Sequence, residues 1–183
     1  MEKYRFLLSG SGGQGVITMA ILLAEAAVLH EGLIAVQSQS YGPEARGGAT
    51  RSDVIISDSE ILFPKVLQPN YLVAMTNEAA GKYMPLIRPG GMCIYDTYLV
   101  QPSRRIDAML MGMPMQKAVL EKFHKTQALN ICVLGALVTL TGAVKMESVE
   151  QVLKARFKPA FHEANSAALA LGAELAKPFL SAN

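Results

Sequence analysis

The sequence predicts an α/β fold of three layers, a mostly parallel sheet between helices, with a helical C-terminal part. Three observations predict it. Short apolar runs alternate with helix-like stretches through the first half of the chain, the pattern of strand–helix–strand units. A glycine-rich junction, Gly10-Ser11-Gly12-Gly13-Gln14-Gly15, joins the first apolar run to the first helical stretch. Four helical stretches then follow one another towards the C-terminus. Together they describe a Rossmann-like arrangement in a single domain over residues 1–183.

In chain order, Tyr4–Ser9 reads as a first strand and Val16–Glu31 as a first helix, apolar nearly all round and therefore buried on more than one side. Gly32 stands where helices end. Leu33–Gln39 is a second strand, and the Gly/Pro-containing Ser40–Gly48 a loop. Thr50–Ser57 alternates small or apolar with polar residues, which predicts a strand with one wet face. Tyr71–Thr76 and Met92–Asp96 read as buried strands around a short helix, Glu78–Leu86. Arg105–Met111 is a candidate strand in a run with methionine at 109, 111, 113 and 115. Those methionines read either as core filler or as a deformable contact surface, the former being commoner. Gln116–His124, Asn130–Thr141, Glu147–Phe157 and Phe161–Ala176 read as helices, and the alanine content of the last predicts close packing, internal or against a partner.

Composition narrows the function. Hydrophobic residues make up 51% of the 183 and charged residues only 17%, so some apolar surface is expected to meet another subunit. A net charge of +2, with no basic cluster interleaved with aromatics, argues against nucleic acid. The N-terminus lacks a signal-peptide pattern, and Leu129–Val144 is too short and too interrupted to span a bilayer, so no membrane role and a cytoplasmic location are expected. Cys93 and Cys132 have no ligand spacing and read as buried free thiols.

The glycine junction is a candidate phosphate cradle. Glycine permits positive φ and leaves no Cβ between ligand and backbone, and the free amides of the following helical turn favour an anion. A tight turn without a ligand is the alternative. The literal Gly10-x-Gly12-x-x-Gly15 also matches the dinucleotide fingerprint, which asks for an acid at the end of the second strand. Here that strand ends Gln37-Ser38-Gln39 and Glu31 falls too early, which counts against a nicotinamide or flavin dinucleotide. A second candidate is Tyr41–Gly48, where Arg46 adjoins Gly47 and Gly48 and Arg51 follows. If both loops leave the same sheet edge, they form an anion pocket with amides on one wall and a guanidinium on the other. An ordered surface hairpin or a partner-docking loop is the alternative.

No catalytic residue is predicted. His30, His124 and His162 are scattered, and Asp53, Asp58 and Glu60 flank a strand. The sequence holds no metal-ligand cluster, no Gly-Asp-Gly thiamine motif and no Cys-x-x-Cys-x-x-Cys run.

Gly10-x-Gly12-Gly13-Gln14-Gly15-Val16, Gln39-Ser40-Tyr41-Gly42-Pro43-Glu44-Ala45-Arg46-Gly47-Gly48, Ser52-x-Val54-x-Ile56-Ser57 and Asn130-Ile131-x-x-Leu134-Gly135-Ala136 together resemble the gamma subunit of 2-oxoacid:ferredoxin oxidoreductases. The resemblance runs from about Tyr4 to Phe157. It implies a non-self-sufficient subunit of an enzyme that decarboxylates a 2-oxoacid on thiamine diphosphate, passes electrons through iron–sulfur clusters to ferredoxin, and transfers the acyl group to coenzyme A. Thiamine diphosphate and the clusters are then expected in alpha, beta and ferredoxin-like delta partners, with coenzyme A near this chain. The implied cofactor-binding set is Gly10, Gly12, Gly13, Gln14, Gly15, Val16, Tyr41, Arg46, Gly47 and Gly48. The Tyr41–Gly48 loop is similar to 2-oxoglutarate-type chains, which favours that substrate over branched-chain oxoacids, indolepyruvate or pyruvate. A stand-alone nucleotide-binding enzyme and a bracing subunit without a ligand are the competing readings.

Overall fold

The computed structural model describes residues 3–40, 48–102 and 106–180. Strand β1 (Tyr4–Gly10) leads through the glycine loop into α1 (Val16–His30); β2 (Ile34–Ser40) and β3 (Thr50–Ser57) follow. Next come β4 (Tyr71–Ala74), α2 (Asn77–Tyr83), β5 (Gly91–Asp96) and β6 (Ala108–Met113). Four helices complete the chain: α3 (Met115–Phe123), α4 (Leu129–Thr141), α5 (Met146–Arg156) and α6 (His162–Leu180). The sequence placed each of these elements to within a few residues, and Gly32, at φ +65, ends α1 as expected.

The sheet has the order β2-β3-β1-β4-β5-β6. It is mixed: β1, β4, β5 and β6 pair in parallel, whereas β3 runs antiparallel to both β1 and β2. Alternate residues of each strand feed two cores. Phe6, Leu8, Val54, Ile56, Val73 and Ile94 face a thick layer built by α1 and α3 to α6. Leu7, Leu72, Ala74 and Cys93 face a thin layer containing α2.

Strand β3 corrects one expectation. Rather than alternating, its residues 52–57 are all buried, Asp53 with Val54, Ile55 and Ile56, and only Thr50 and Arg51 are half-buried. Its polar residues satisfy each other instead. Arg51 and Asp53, two apart and so on one face, form a forked ion pair: Nε donates to Oδ1 at 2.8 Å and Nη2 to Oδ2 at 2.7 Å. Of the four methionines, 111, 113 and 115 are core, while Met109 is 41% exposed. Met115 belongs to α3 rather than to the strand.

The alanine-rich C-terminal helix packs internally. Buried Ala168, Leu169, Gly172 and Ala176 of α6 lie on α4, itself apolar round most of its circumference. Two glycines set the separation. A Cβ on Gly135 would run into the Leu169 carbonyl, and one on Gly172 into the Cys132 carbonyl. Backbone on backbone leaves no flexible group to yield. Gly172→Val should therefore cost at least about 1–3 kcal/mol, lowering Tm by roughly 2–12 °C. Gly81→Ala, at a helical position with nothing within 4 Å of the added carbon, should be neutral or stabilising. Thermal melts of the two variants check the contrast.

Candidate functional site at the C-terminal edge of the sheet

Strand β1 delivers the glycine loop to the edge where open α/β sheets bind their ligands. Helix α1 starts from Gly15, whose left-handed backbone (φ +72) provides no side-chain cap, and its first turn carries no acid. Its positive end is thus uncompensated by the helix's own cap and first turn, a setting that suits an anion. The four glycines do different work. Gly12 and Gly13 are open, with nothing within 4 Å of an added Cβ, and Gly13 needs its φ of +86. These two leave the backbone free for close approach by a ligand. Gly10 is a packing glycine: a Cβ there would meet the Gln14 carboxamide, Val16 Cγ2 at 3.1 Å and Met75 Cβ at 3.2 Å. Gly15 lies against Asn130, whose Nδ2 donates to the Gly15 carbonyl at 3.5 Å. The first and last motifs singled out in the sequence therefore touch.

Gln14 is turned inward. Its Oε1 accepts from Ser11 N at 2.7 Å and its Nε2 donates to the Met75 carbonyl at 3.2 Å, tying the loop to the end of β4. Val16 is buried at 2% exposure, so only its backbone is available at the edge.

Tyr41, Arg46 and Gly47 lie outside the described residues. The chain on either side fixes where their segment is anchored. Thr50 pairs with Gly10, and Arg51 with both Ser9 and Ser40. The connection between β2 and β3 thus leaves and re-enters the sheet beside the glycine loop, with Gly48 half-buried at its return. The shared edge was expected from parallel neighbours; the cause is a hairpin whose second strand lies against β1. That same interposed strand separates β2 from β1, so the ribose-binding geometry of a dinucleotide fold, which needs those strands adjacent, is absent.

Arg51 is committed elsewhere. Besides Asp53 it donates to the Val66 carbonyl at 2.5 Å and lies 5.6 Å from the centre of the Tyr83 ring. The hydrogen bonds to Asp53 raise its pKa above the ordinary arginine value. Beneath the hairpin's root, Val36, Ser38, Arg51, Asp53, Val66 and Leu67 line an open cavity of about 690 Å³.

Other titratable groups are structural. Asp96, fully buried at the end of β5, accepts from Tyr98 N at 2.7 Å, Leu99 N at 3.1 Å and Gln116 N at 2.5 Å, anchoring the β5 turn and the first turn of α3. Loss of hydration raises its pKa against the opposing effect of those amides. Sequence reasoning passed it over, although an aspartate closing a buried strand is a turn-forming signal. Burial pushes the Cys93 and Cys132 thiols up to about 12. His30, His124 and His162 stand at helix ends, His162 Nε2 lying 2.7 Å from the Phe157 carbonyl. Among the described residues no three of His, Cys, Asp and Glu are grouped as a metal would need. No described helix is long and apolar enough to cross a membrane.

The pyruvate ferredoxin/flavodoxin oxidoreductase family profile matches residues 5–175. The chain belongs to that family. It is 41% identical to a 2-oxoglutarate synthase subunit KorC of Methanocaldococcus jannaschii over 93% of this chain and 92% of the relative. It superposes with a TM-score of 0.87, at 39% identity, on a keto/oxoacid ferredoxin oxidoreductase gamma subunit from Geobacter sulfurreducens, covering 96% of this chain and 99% of that one. The fold recurs at 21% identity (TM-score 0.87) in the 2-oxoglutarate:ferredoxin oxidoreductase of Magnetococcus marinus, solved with 2-oxoglutarate, coenzyme A and succinyl-CoA bound. There the match covers 97% of this chain and 32% of the larger one, so the fold also occurs as part of a longer chain.

The inward hydrogen bonds of Gln14 generate a test of how the glycine loop is held. Gln14→Ala should speed amide exchange across residues 10–15 while leaving the strands protected, at a cost of about 1–2 kcal/mol in stability. Hydrogen exchange resolved by residue reads both.

Proposed function

We propose that this chain is the gamma-type subunit of a 2-oxoglutarate:ferredoxin oxidoreductase and contributes the surface that holds coenzyme A. The observation that carries the proposal is the joint placement of the open Gly12–Gly13 backbone and the root of the Arg46 hairpin on one sheet edge. Support for the substrate comes from the near full-length likeness to 2-oxoglutarate synthase subunits.

Coenzyme A carries a diphosphate and a 3′-phosphate. The amides around Gly12 and Gly13 and the start of α1 suit one phosphate group, while Arg46 offers a forked, charge-assisted contact to another. Tyr41, Gly47 and Gly48 complete the proposed set, with Gly10, Gln14, Gly15 and Val16 shaping the loop. This chain binds and orients the thiol-bearing co-substrate. Decarboxylation and electron transfer are assigned to thiamine diphosphate and iron–sulfur clusters in alpha, beta and ferredoxin-like delta partners, with ferredoxin as acceptor. The assembly is placed in the cytoplasm.

Two outcomes follow. The purified chain alone should show no coenzyme A-dependent reduction of an artificial acceptor with 2-oxoglutarate, and activity should appear when the partner subunits are added. In the assembled enzyme, Arg46→Ala should raise the KM for coenzyme A roughly ten- to a hundredfold, the loss of a charge-assisted contact of about 1.5–3 kcal/mol. Arg46→Lys should restore only part of it. Unchanged coenzyme A dependence with failed assembly would assign the hairpin to a subunit interface instead.

A further inference from the structure

The opposite edge of the sheet carries a second surface. Between β3 and β4 the chain forms no helix or strand, yet it is firmly anchored. Val66 is buried and its carbonyl takes Arg51 Nη2; Asn70 exchanges backbone and side-chain hydrogen bonds with Arg5; and Arg88 N donates to the Pro69 carbonyl at 3.1 Å. From this fixed base Leu62, Phe63 and Leu67 project outward, 81%, 58% and 67% exposed. Three large apolar side chains within six residues, held in water by an anchored segment, form the kind of patch that marks an interaction site.

Charge says what fits beside them. Arg5, Phe63, Lys65, Leu67 and Arg88 line an open groove of about 730 Å³. All its charged residues are cationic, and Arg5, Lys65 and Arg88 make no ion pair among the described residues. Three cations without an ion pair among the described residues converge there, in a chain whose net charge is only +2. Arg5 stands near the opposite end of β1 from Gly10, and Lys65 and Leu67 lie between this groove and the cavity beneath the hairpin's root, lining both.

We propose that this groove docks a partner polypeptide whose contacting segment presents an apolar side chain flanked by carboxylates. An apolar centre with arginine around it is the composition of specific interfaces. A second copy of this chain fits poorly, because a two-fold contact through this face would set the same cations against each other. A free small anion would neutralise the cations but leave Leu62, Phe63 and Leu67 in water. The proposal rests on the family reading only in choosing which partners to test.

The experiment uses the full chain co-produced with the other subunits of its oxidoreductase, without coenzyme A or oxoacid. Hydrogen exchange should show residues 61–68 gaining protection on assembly. Capture by the partners should weaken with added salt, and Lys65→Glu/Arg88→Glu should lower affinity by about tenfold or more with an unchanged melting profile. Phe63→Ser should do the same without altering the salt dependence. Assembly with 61–68 unprotected would overturn the docking proposal alone; failure of the unaltered chain to join these subunits would overturn both it and the family-based function. Equal protection by inorganic pyrophosphate alone would make the groove a small-anion site, and loss of self-association in the charge variant would make it a homotypic contact. Either result overturns the proposal.

Discussion

The pairing of Gly10 with Thr50 is the contact on which the molecule's organisation depends. It puts an antiparallel strand directly beside the strand that leads into α1, and so brings the root of the β2–β3 hairpin to the glycine loop. Had β2 lain next to β1, the familiar dinucleotide arrangement would result and the hairpin would open a strand's width away. The register is well determined, because a one-residue slip of β3 would turn Val54 and Ile56 away from the α1 layer and place Arg51 and Asp53 within it. Burial of Asp53 is tolerable only because Arg51 lies on the same face two residues earlier. The forked pair therefore supports the placement of two loops that it does not touch.

Around this edge the division of labour among residues is sharper than a motif implies. Within the β1–α1 loop only Gly12 and Gly13 combine an absent side chain with open space; a Cβ on Gly10 would meet Gln14, Val16 and Met75, and Gly15 both lies against Asn130 and holds a φ of +72. Gln14 and Asn130 brace the loop from inside, one towards β4 and one from the first turn of α4. A helix far along the chain thus helps to hold the start of the first helix. Such bracing keeps backbone amides in place before any ligand arrives, which limits the ordering cost of binding.

Local pattern carried much of this in the sequence. Strand and helix positions were legible because apolar runs, glycines and prolines act within a few residues of themselves, as at Gly32 and at the β1–α1 junction. The order of the strands was not, since β1, β3 and β4 are all short buried runs and nothing in their composition says which neighbours pair. The polar residues of β3 suggested a solvated face because alternation reads the same whether a polar residue meets water or an opposite charge two positions away. The alanine-rich helix announced close packing but not its partner; the partner became visible only when Gly172 was found against the Cys132 carbonyl and Gly135 against that of Leu169. Asp96 was missed because its worth lies in three amides that converge only after folding.

The two sealed cysteines have a practical consequence. With Cys93 and Cys132 wholly buried and their thiolates disfavoured up to about pH 12, the native chain offers no nucleophilic sulfur to its surroundings. Peroxide striking an assembly that contains this subunit would meet no accessible thiol on it, although the Met109 thioether is 41% exposed. For the same reason a single cysteine introduced on the surface would be the one site open to a maleimide dye or cross-linker among the described residues, so this subunit can be followed by fluorescence inside a larger complex without first removing its native thiols.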